Sequence, residues 1–205
     1  MELKIFIVLF CALFTGGHSL KCFECSGIMG SCESKVTTCP GIATATCGSA
    51  TIVTNTGGNE VKMQSKSCTV TEACITSSIN FGVTRTVTST QCCNSDLCNS
   101  KDAPDSSSNS LNGKQCYSCD GLSCFNILNC LGNEDYCIKA TVPGGSASQT
   151  VKGCASKSIC DATSQANAGY MSFSCCKGNL CNGAKSVTQN LLFLLWPLFF
   201  FILIH

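Results

Sequence analysis

Histidine is almost missing from this chain: His18 and His205 are the only two among 205 residues, and both lie near the ends. The stretch between them therefore has no imidazole for a Ser/His/Asp or Cys/His mechanism and none to ligate zinc. Tryptophan occurs once, at Trp196, and arginine once, at Arg85. No Asn-x-Ser/Thr sequon occurs, so N-glycosylation is not expected. Charge is scarce as well, at 12% of residues with a net charge of +1. From Leu20 to Asn182 there are 11 basic and 11 acidic residues, so no footprint for nucleic acid or heparin is present. The densest acidic spot is Glu134 next to Asp135. Catalytic carboxylates must flank a substrate across a cleft, whereas neighbours on a loop read as simply solvated. No catalytic residue, no cofactor and no metal site is expected, and the chain is not read as an enzyme.

What is abundant sits at the two ends and in the cysteines. Residues 1–19 read as a secretory signal: Lys4, an apolar run from Ile5 to Phe14, then small residues at Gly16, Gly17 and Ser19 before the cleavage point. The run is too short for a span, which needs about 20 apolar residues. At the other end, Leu191 to Ile204 is unbroken hydrocarbon of 14 residues followed only by His205. As a helix it would reach about 21 Å, short of an apolar bilayer core of about 30 Å. No basic flank follows to orient a span. Small residues at Asn182, Gly183 and Ala184, a polar spacer from Lys185 to Asn190 and the apolar tail have the order of a glycosylphosphatidylinositol signal. Residues 183–205 are read as a propeptide replaced by lipid on Asn182, with Gly183 as the alternative attachment residue. A short transmembrane helix is the competing reading of the tail.

Of 21 cysteines, Cys11 lies in the signal, which leaves 20 in an oxidising compartment, an even number that permits full pairing. They fall into two sets of ten. The first is Cys22, Cys25, Cys32, Cys39, Cys47, Cys68, Cys74, Cys92, Cys93 and Cys98; the second is Cys116, Cys119, Cys124, Cys130, Cys137, Cys154, Cys160, Cys175, Cys176 and Cys181. Several offsets agree between the sets, and both close alike, CCNSDLCN at 92–99 and CCKGNLCN at 175–182. This is an internal duplication. It divides the chain into a first domain at 20–99, a linker at 100–115 and a second domain at 116–182. The linker, SKDAPDSSSNSLNGKQ, is rich in Ser, Asn and Asp and reads as flexible, with serines suited to O-linked sugar. The Cys22-x-x-Cys25 and Cys116-x-x-Cys119 spacings match zinc knuckles, but ten cysteines per unit in a secreted chain suit disulfides far better. With so few aromatics per unit the cores are small, and bridges worth about 2–4 kcal/mol each dominate stability.

Local pattern is strand and turn. Ser49 to Thr54 and Glu60 to Ser65 flank a turn at Asn55–Asn59. Ile138 to Val142 and Ser148 to Lys152 flank Pro143–Ser146. A third pair surrounds Asn80-Phe81-Gly82, with Val83 to Thr88 alternating with period two. No helical periodicity stands out between the signal and the tail. The class is all-β with long loops.

These spacings, the CCxxxxCN endings and the LKCFEC start at Leu20 to Cys25 resemble the three-finger superfamily of the urokinase receptor and the lymphocyte antigen 6 proteins. The resemblance implies two tandem disulfide-rich three-finger domains. Counting alone leaves about nine hundred pairings per domain, and the family pattern selects one. In the first domain it implies Cys22–Cys47, Cys25–Cys32, Cys39–Cys68, Cys74–Cys92 and Cys93–Cys98. In the second it implies Cys116–Cys137, Cys119–Cys124, Cys130–Cys154, Cys160–Cys175 and Cys176–Cys181. Asn99 and Asn182 match the family's asparagine that ties the palm together. Two such units are also similar to the gamma-type phospholipase inhibitors of snake serum, which are soluble. The resemblance implies a non-enzymatic cell-surface binding protein (receptor, co-receptor or adhesion factor) held in the outer leaflet by its lipid. The alternative is a secreted, soluble inhibitor of a phospholipase, another enzyme or a toxin. The expected partner is an extracellular or cell-surface protein. Recognition is expected at the hairpin tips, 55–59, 80–85, 143–146 and 165–170, with Arg85, Phe81 and Tyr170 as candidate contacts because Arg and aromatics are enriched at binding hot spots.

Overall fold

Alternation of Thr and Ser with apolar residues makes strands where one face can be covered, and the chain folds into three hairpins in the first unit and into two hairpins, a helix and a further strand in the second. In the first unit β1 (Lys21–Ile28) pairs with β2 (Lys35–Thr38), β3 (Ala45–Thr56) with β4 (Asn59–Val70), and β5 (Thr76–Asn80) with β6 (Thr84–Cys93). The second unit has β7 (Leu111–Ser118) with β8 (Asn126–Leu131), then β9 (Tyr136–Val142) with β10 (Gln149–Ala155), helix α1 (Lys157–Gln165), and β11 (Ser172–Lys177) beside β9. The computed structural model describes residues 19–28, 32–41, 44–142, 148–165 and 172–183. Residues 1–18 of the expected signal, the tip at 143–146, Tyr170 and the apolar tail lie outside them.

The second hairpin is the longest. Its register runs unbroken from Ala45↔Val70 to Thr56↔Asn59, closed by Gly57 and Gly58 at φ of 58° and 86°. Two positive φ values in a two-residue turn favour glycine, because a Cβ is strained there. Ten disulfides join the described cysteines: Cys22–Cys47, Cys25–Cys32, Cys39–Cys68, Cys74–Cys92 and Cys93–Cys98, then Cys116–Cys137, Cys119–Cys124, Cys130–Cys154, Cys160–Cys175 and Cys176–Cys181. Sulfur forms much of the interior: one buried cluster is Cys22, Cys39 and Cys47, and another is Cys116, Cys130, Cys137 and Cys154.

In each palm one buried asparagine closes the ring. Asn99 Oδ1 accepts the Phe23 amide at 2.9 Å, while its Nδ2 donates to the carbonyls of Phe23 and Gly48. Asn182 repeats this in the second unit, accepting from the Tyr117 amide and donating to the carbonyls of Tyr117 and Ile138. The preceding leucines, Leu97 and Leu180, take φ of 56° and 58°, so both chain ends turn through the same left-handed step.

Three features depart from the sequence reading. The first is α1, which stands where an all-β reading leaves a loop. KSICDATSQ is short and mostly polar and so reads as a loop, yet Ile159, Cys160 and Thr163 fall at helical spacing on its covered side. Its support comes mainly from outside, since Cys160 is tied to β11 through Cys175 and Ile159 packs inward, while within the helix Lys157 pairs with Asp161 at 2.6 Å one turn on.

The second is the linker, which is strapped to the first unit. Ser49 Oγ donates to the Lys101 carbonyl at 2.7 Å and Thr51 Oγ1 to the Ala103 carbonyl at 2.6 Å. Lys66 Nζ donates to the Ser100 carbonyl and pairs with Asp102 at 3.1 Å, and Ala103 is buried. The hydroxyl-rich face of β3 satisfies the linker backbone, which composition alone does not reveal. β7 then begins at Leu111, ahead of the boundary expected at Cys116.

The third, on which the sequence is silent, is that the units share one sheet. Strands run in the order β11-β9-β10-β5-β6-β3-β4-β1-β2, with β7 and β8 forming a separate pair. The joint is β10 on β5, Cys154 opposite Asn80 and Ala155 opposite Ile79. Gly153 makes this approach possible, since a Cβ there would fall on the carbonyl oxygen of Asn80.

Candidate binding surface at the domain seam

The seam places Glu134, from the turn before β9, inside the protein at 0% exposure. A buried carboxylate needs its lone pairs filled, and both oxygens are. Oε1 accepts from Arg85 Nε and Ser78 Oγ, each at 2.6 Å. Oε2 accepts from Asn80 Nδ2 at 3.2 Å and from the Leu131 amide at 3.0 Å. Arg85 also donates through Nη1 to Asn109 Oδ1 at 3.1 Å, which adds the linker. The third finger of the first unit, the linker and a turn of the second unit are thus joined through one ion pair.

Behind the polar latch lies an apolar layer, Ile79 and Phe81 against Ile138, Ala155 and Cys160. Two hydrogen bonds flank it: the Ser156 amide donates to the Ser78 carbonyl at 2.8 Å, and the Ser78 amide donates to the Ser156 side-chain Oγ at 3.0 Å. In front of the latch is a concave surface of about 310 Å³. The second finger contributes Val53, Asn55 and Glu60, and the second unit contributes Leu128, Asn129 and Leu131. Apolar Val53, Val87, Leu128 and Leu131 among polar Asn55, Glu60, Asn109 and Asn129 offer an inserted protein side chain both apolar contact and hydrogen bonds.

The structure corrects the sequence reading at several residues. Arg85, expected at a ligand-facing tip, has a side chain only 12% exposed and is committed to Glu134. Phe81 packs into the seam layer. Glu134, expected to be solvated beside Asp135, is the buried centre of the latch. The 80–85 tip is therefore occupied by the second unit, while the 55–59 tip stays open, its turn held by Asn55 Oδ1 accepting the Gly58 amide. Tyr170 and the 143–146 tip lie outside the described residues. Asn182 is 4% exposed, with its side-chain amide held in the palm. Sequence reasoning missed Ser78, took Asn80 for part of a tip and took Glu134 for a solvated carboxylate; the lone arginine of the chain was the one signal, since it needs an acidic partner wherever it is buried.

Electrostatics elsewhere serve local order. Hydrogen bonds from the Ser107 hydroxyl and amide, helped by Lys62, hold Asp105 of the linker below the usual carboxylate range. The amides of Ser123 and Leu122, with the Asn126 side chain, do the same for Asp120. Burial pushes the Lys152 ammonium down, with Lys139 adding to it. Lys152 Nζ lies 5.7 Å from the Tyr117 ring centre and 5.1 Å from that of Phe125.

Comparison with known proteins agrees with this architecture. The u-PAR/Ly-6 domain matches residues 18–101, and the family of snake toxins and toxin-like proteins matches residues 114–182. The urokinase plasminogen activator surface receptor of Rattus norvegicus is 37% identical over 105 residues, covering 45% of this chain and 32% of the receptor. That of Mus musculus is 38% identical over 105 residues with the same coverage. The chain thus spans about a third of the length of the curated relatives it matches. The crystal structure of mouse TEX101 aligns with a TM-score of 0.30 at 19% identity, over 77% of this chain and 99% of that one. Two matched ten-cysteine units, an asparagine closing each palm and the two matches together give the assignment: residues 18–101 are a u-PAR/Ly-6 domain, and residues 114–182 match the family of snake toxins and toxin-like proteins.

Proposed function

We propose that this protein is a receptor-like binding module held on the outer face of the cell membrane by a glycosylphosphatidylinositol anchor at Asn182 or Gly183, and that it recognises an extracellular or cell-surface protein. The observation that carries the reading is the latched seam. A rigid two-domain frame leaves the second finger and its concave flank free, and rigid scaffolds carry recognition on such loops. The relatives are named as surface receptors. Recognition belongs to the 55–59 tip, Glu60 and the concavity beside Asn129, because Arg85 and Phe81 serve the seam. The lipid would join the main-chain carboxyl of the attachment residue, so it does not compete with the Asn182 side chain for the palm.

The test is a pair of surface-displayed variants of the full chain, Glu60→Ala with Asn55→Ala and, separately, Asn129→Ala. Crosslinking to neighbouring cells should recover a common set of surface proteins with the wild type and less of it with the variants at equal display. Equal recovery from all would remove this surface from the account. Appearance of the chain only in the medium would favour the soluble inhibitor.

A further inference from the structure

The first finger of the second unit carries an apolar face that neither the seam nor the palm uses. Leu122 at its tip is 99% exposed, Phe125 64% and Ile127 59%. Phe125 and Ile127 are two apart in extended chain, and Ile127 sits opposite Tyr117 in the β7–β8 register, so the three share one face. Cross-strand partners Cys116 and Leu128 point the other way, into the sulfur core.

This face is built rigidly. Cys119–Cys124 closes the tip, and Asp120 accepts the amides of Leu122 at 2.8 Å and Ser123 at 2.7 Å. Phe125 meets the Tyr117 ring edge-on at 5.8 Å, and buried Lys152 braces both rings while donating to the Cys124 carbonyl. A side chain as large as leucine held fully in water on a braced loop calls for a covering surface.

The described chain ends beside it. A Cβ on Gly183 would stand 3.2 Å from Tyr117 Cε2, so the chain leaves the domain against the same aromatic face. Residues 184–190 then separate Gly183 from the apolar run at Leu191, a tether of at most about 25 Å. With lipid attached at Asn182 or Gly183 that tether is removed, and the anchor itself begins beside the aromatic face. We infer that Leu122, Phe125 and Ile127 rest on the outer leaflet itself, giving the anchored protein a second contact that fixes its orientation. The inference rests on the anchored reading above. Apolar and aromatic side chains suit the depth between headgroups and acyl chains, where an aromatic belt settles.

The chain without its tail has no tryptophan, which supplies the test. Full-length protein carrying Phe125→Trp is isolated from cells with its natural C-terminus and reconstituted into phosphatidylcholine vesicles containing shallow nitroxide-labelled lipid. Its emission should move to the blue and be quenched by the labelled lipid. Adding Leu122→Asp, a change at a fully exposed position, should abolish the quenching, and Val36→Trp on the first unit should not be quenched. Quenching of Phe125→Trp no greater than that of Val36→Trp would overturn the inference. So would an emission shift that follows protein concentration, which assigns the face to a second copy, or one that needs an added cell-surface protein. Lipid-quenched emission from the unsubstituted chain would mean that Trp196 is retained. That overturns the lipid anchor alone, and the difference between variant and wild type still reads the docking. Failure of the chain to associate with vesicles at all would overturn both.

Discussion

At the residue scale, the seam depends on a charge with no water of its own. Glu134 is satisfied by Arg85, Ser78, Asn80 and one amide. Removing Arg85 leaves a buried carboxylate short of its cation, which costs about 3–5 kcal/mol when the pair is fully buried. Arg85→Ala should therefore lower the denaturation midpoint far more than Glu60→Ala on the open finger, and Glu134→Gln combined with Arg85→Met should recover part of the loss. An equal effect of Arg85→Ala and Glu60→Ala would mean that the latch contributes nothing. Asp120 gives a pH-dependent counterpart. Its folded-state pKa is depressed by the amides it accepts, so its contribution is fully present above the ordinary aspartate value of about 3.9 and is lost as pH falls through the lower folded-state value. Amide exchange at Leu122 and Ser123 should accelerate below that range relative to the palm amides, beyond the intrinsic pH trend. Asn99 and Asn182 were legible in the sequence because each closes a repeated CCxxxxCN ending. Glu134 was not, because its burial is created by a distant strand that no local pattern announces.

At the element scale, the hairpins followed from alternation and turn chemistry. Asn55 to Asn59 signalled the long finger correctly, because two glycines in sequence fit a turn needing two positive φ values. Helix α1 escaped because nine mostly polar residues are too short and too weakly apolar to announce a helix, although their few apolar side chains share one face, and a disulfide to β11 with a seat on β5 holds it. The linker escaped for a related reason: Ser, Asn and Asp composition predicts solvation, and only the fold supplies Ser49, Thr51 and Lys66 to receive it. Gly153 tests the joint between units. Alanine there must displace the Asn80 main chain, and overpacking of this kind costs about 1–3 kcal/mol. Gly153→Ala should raise hydrogen exchange along β5 and β10 while leaving the β1–β2 hairpin unchanged. Unchanged exchange at Ile79 and Ala155 would show that the strands are not held in this register.

At the scale of the whole molecule, two small cores are each fastened by sulfur and then joined by a shared sheet, an ion pair and an apolar layer. Cysteine spacing made the duplication visible, whereas the mutual arrangement of the units lay in residues that are unremarkable one at a time. With every described cysteine bridged, residues 20–182, denatured and unreduced, should take up less than one equivalent of a thiol reagent. Uptake near one equivalent or more would contradict the pairing. The central claim is that this frame works on the cell surface, held there by lipid. The most direct measurement is treatment of cells expressing the full chain with a phosphatidylinositol-specific phospholipase, followed by mass analysis of the released and retained protein. The account predicts release into the medium of a chain ending at Asn182 or Gly183 with all ten bridges intact. Retention of the protein with the Trp196 peptide still attached would contradict it.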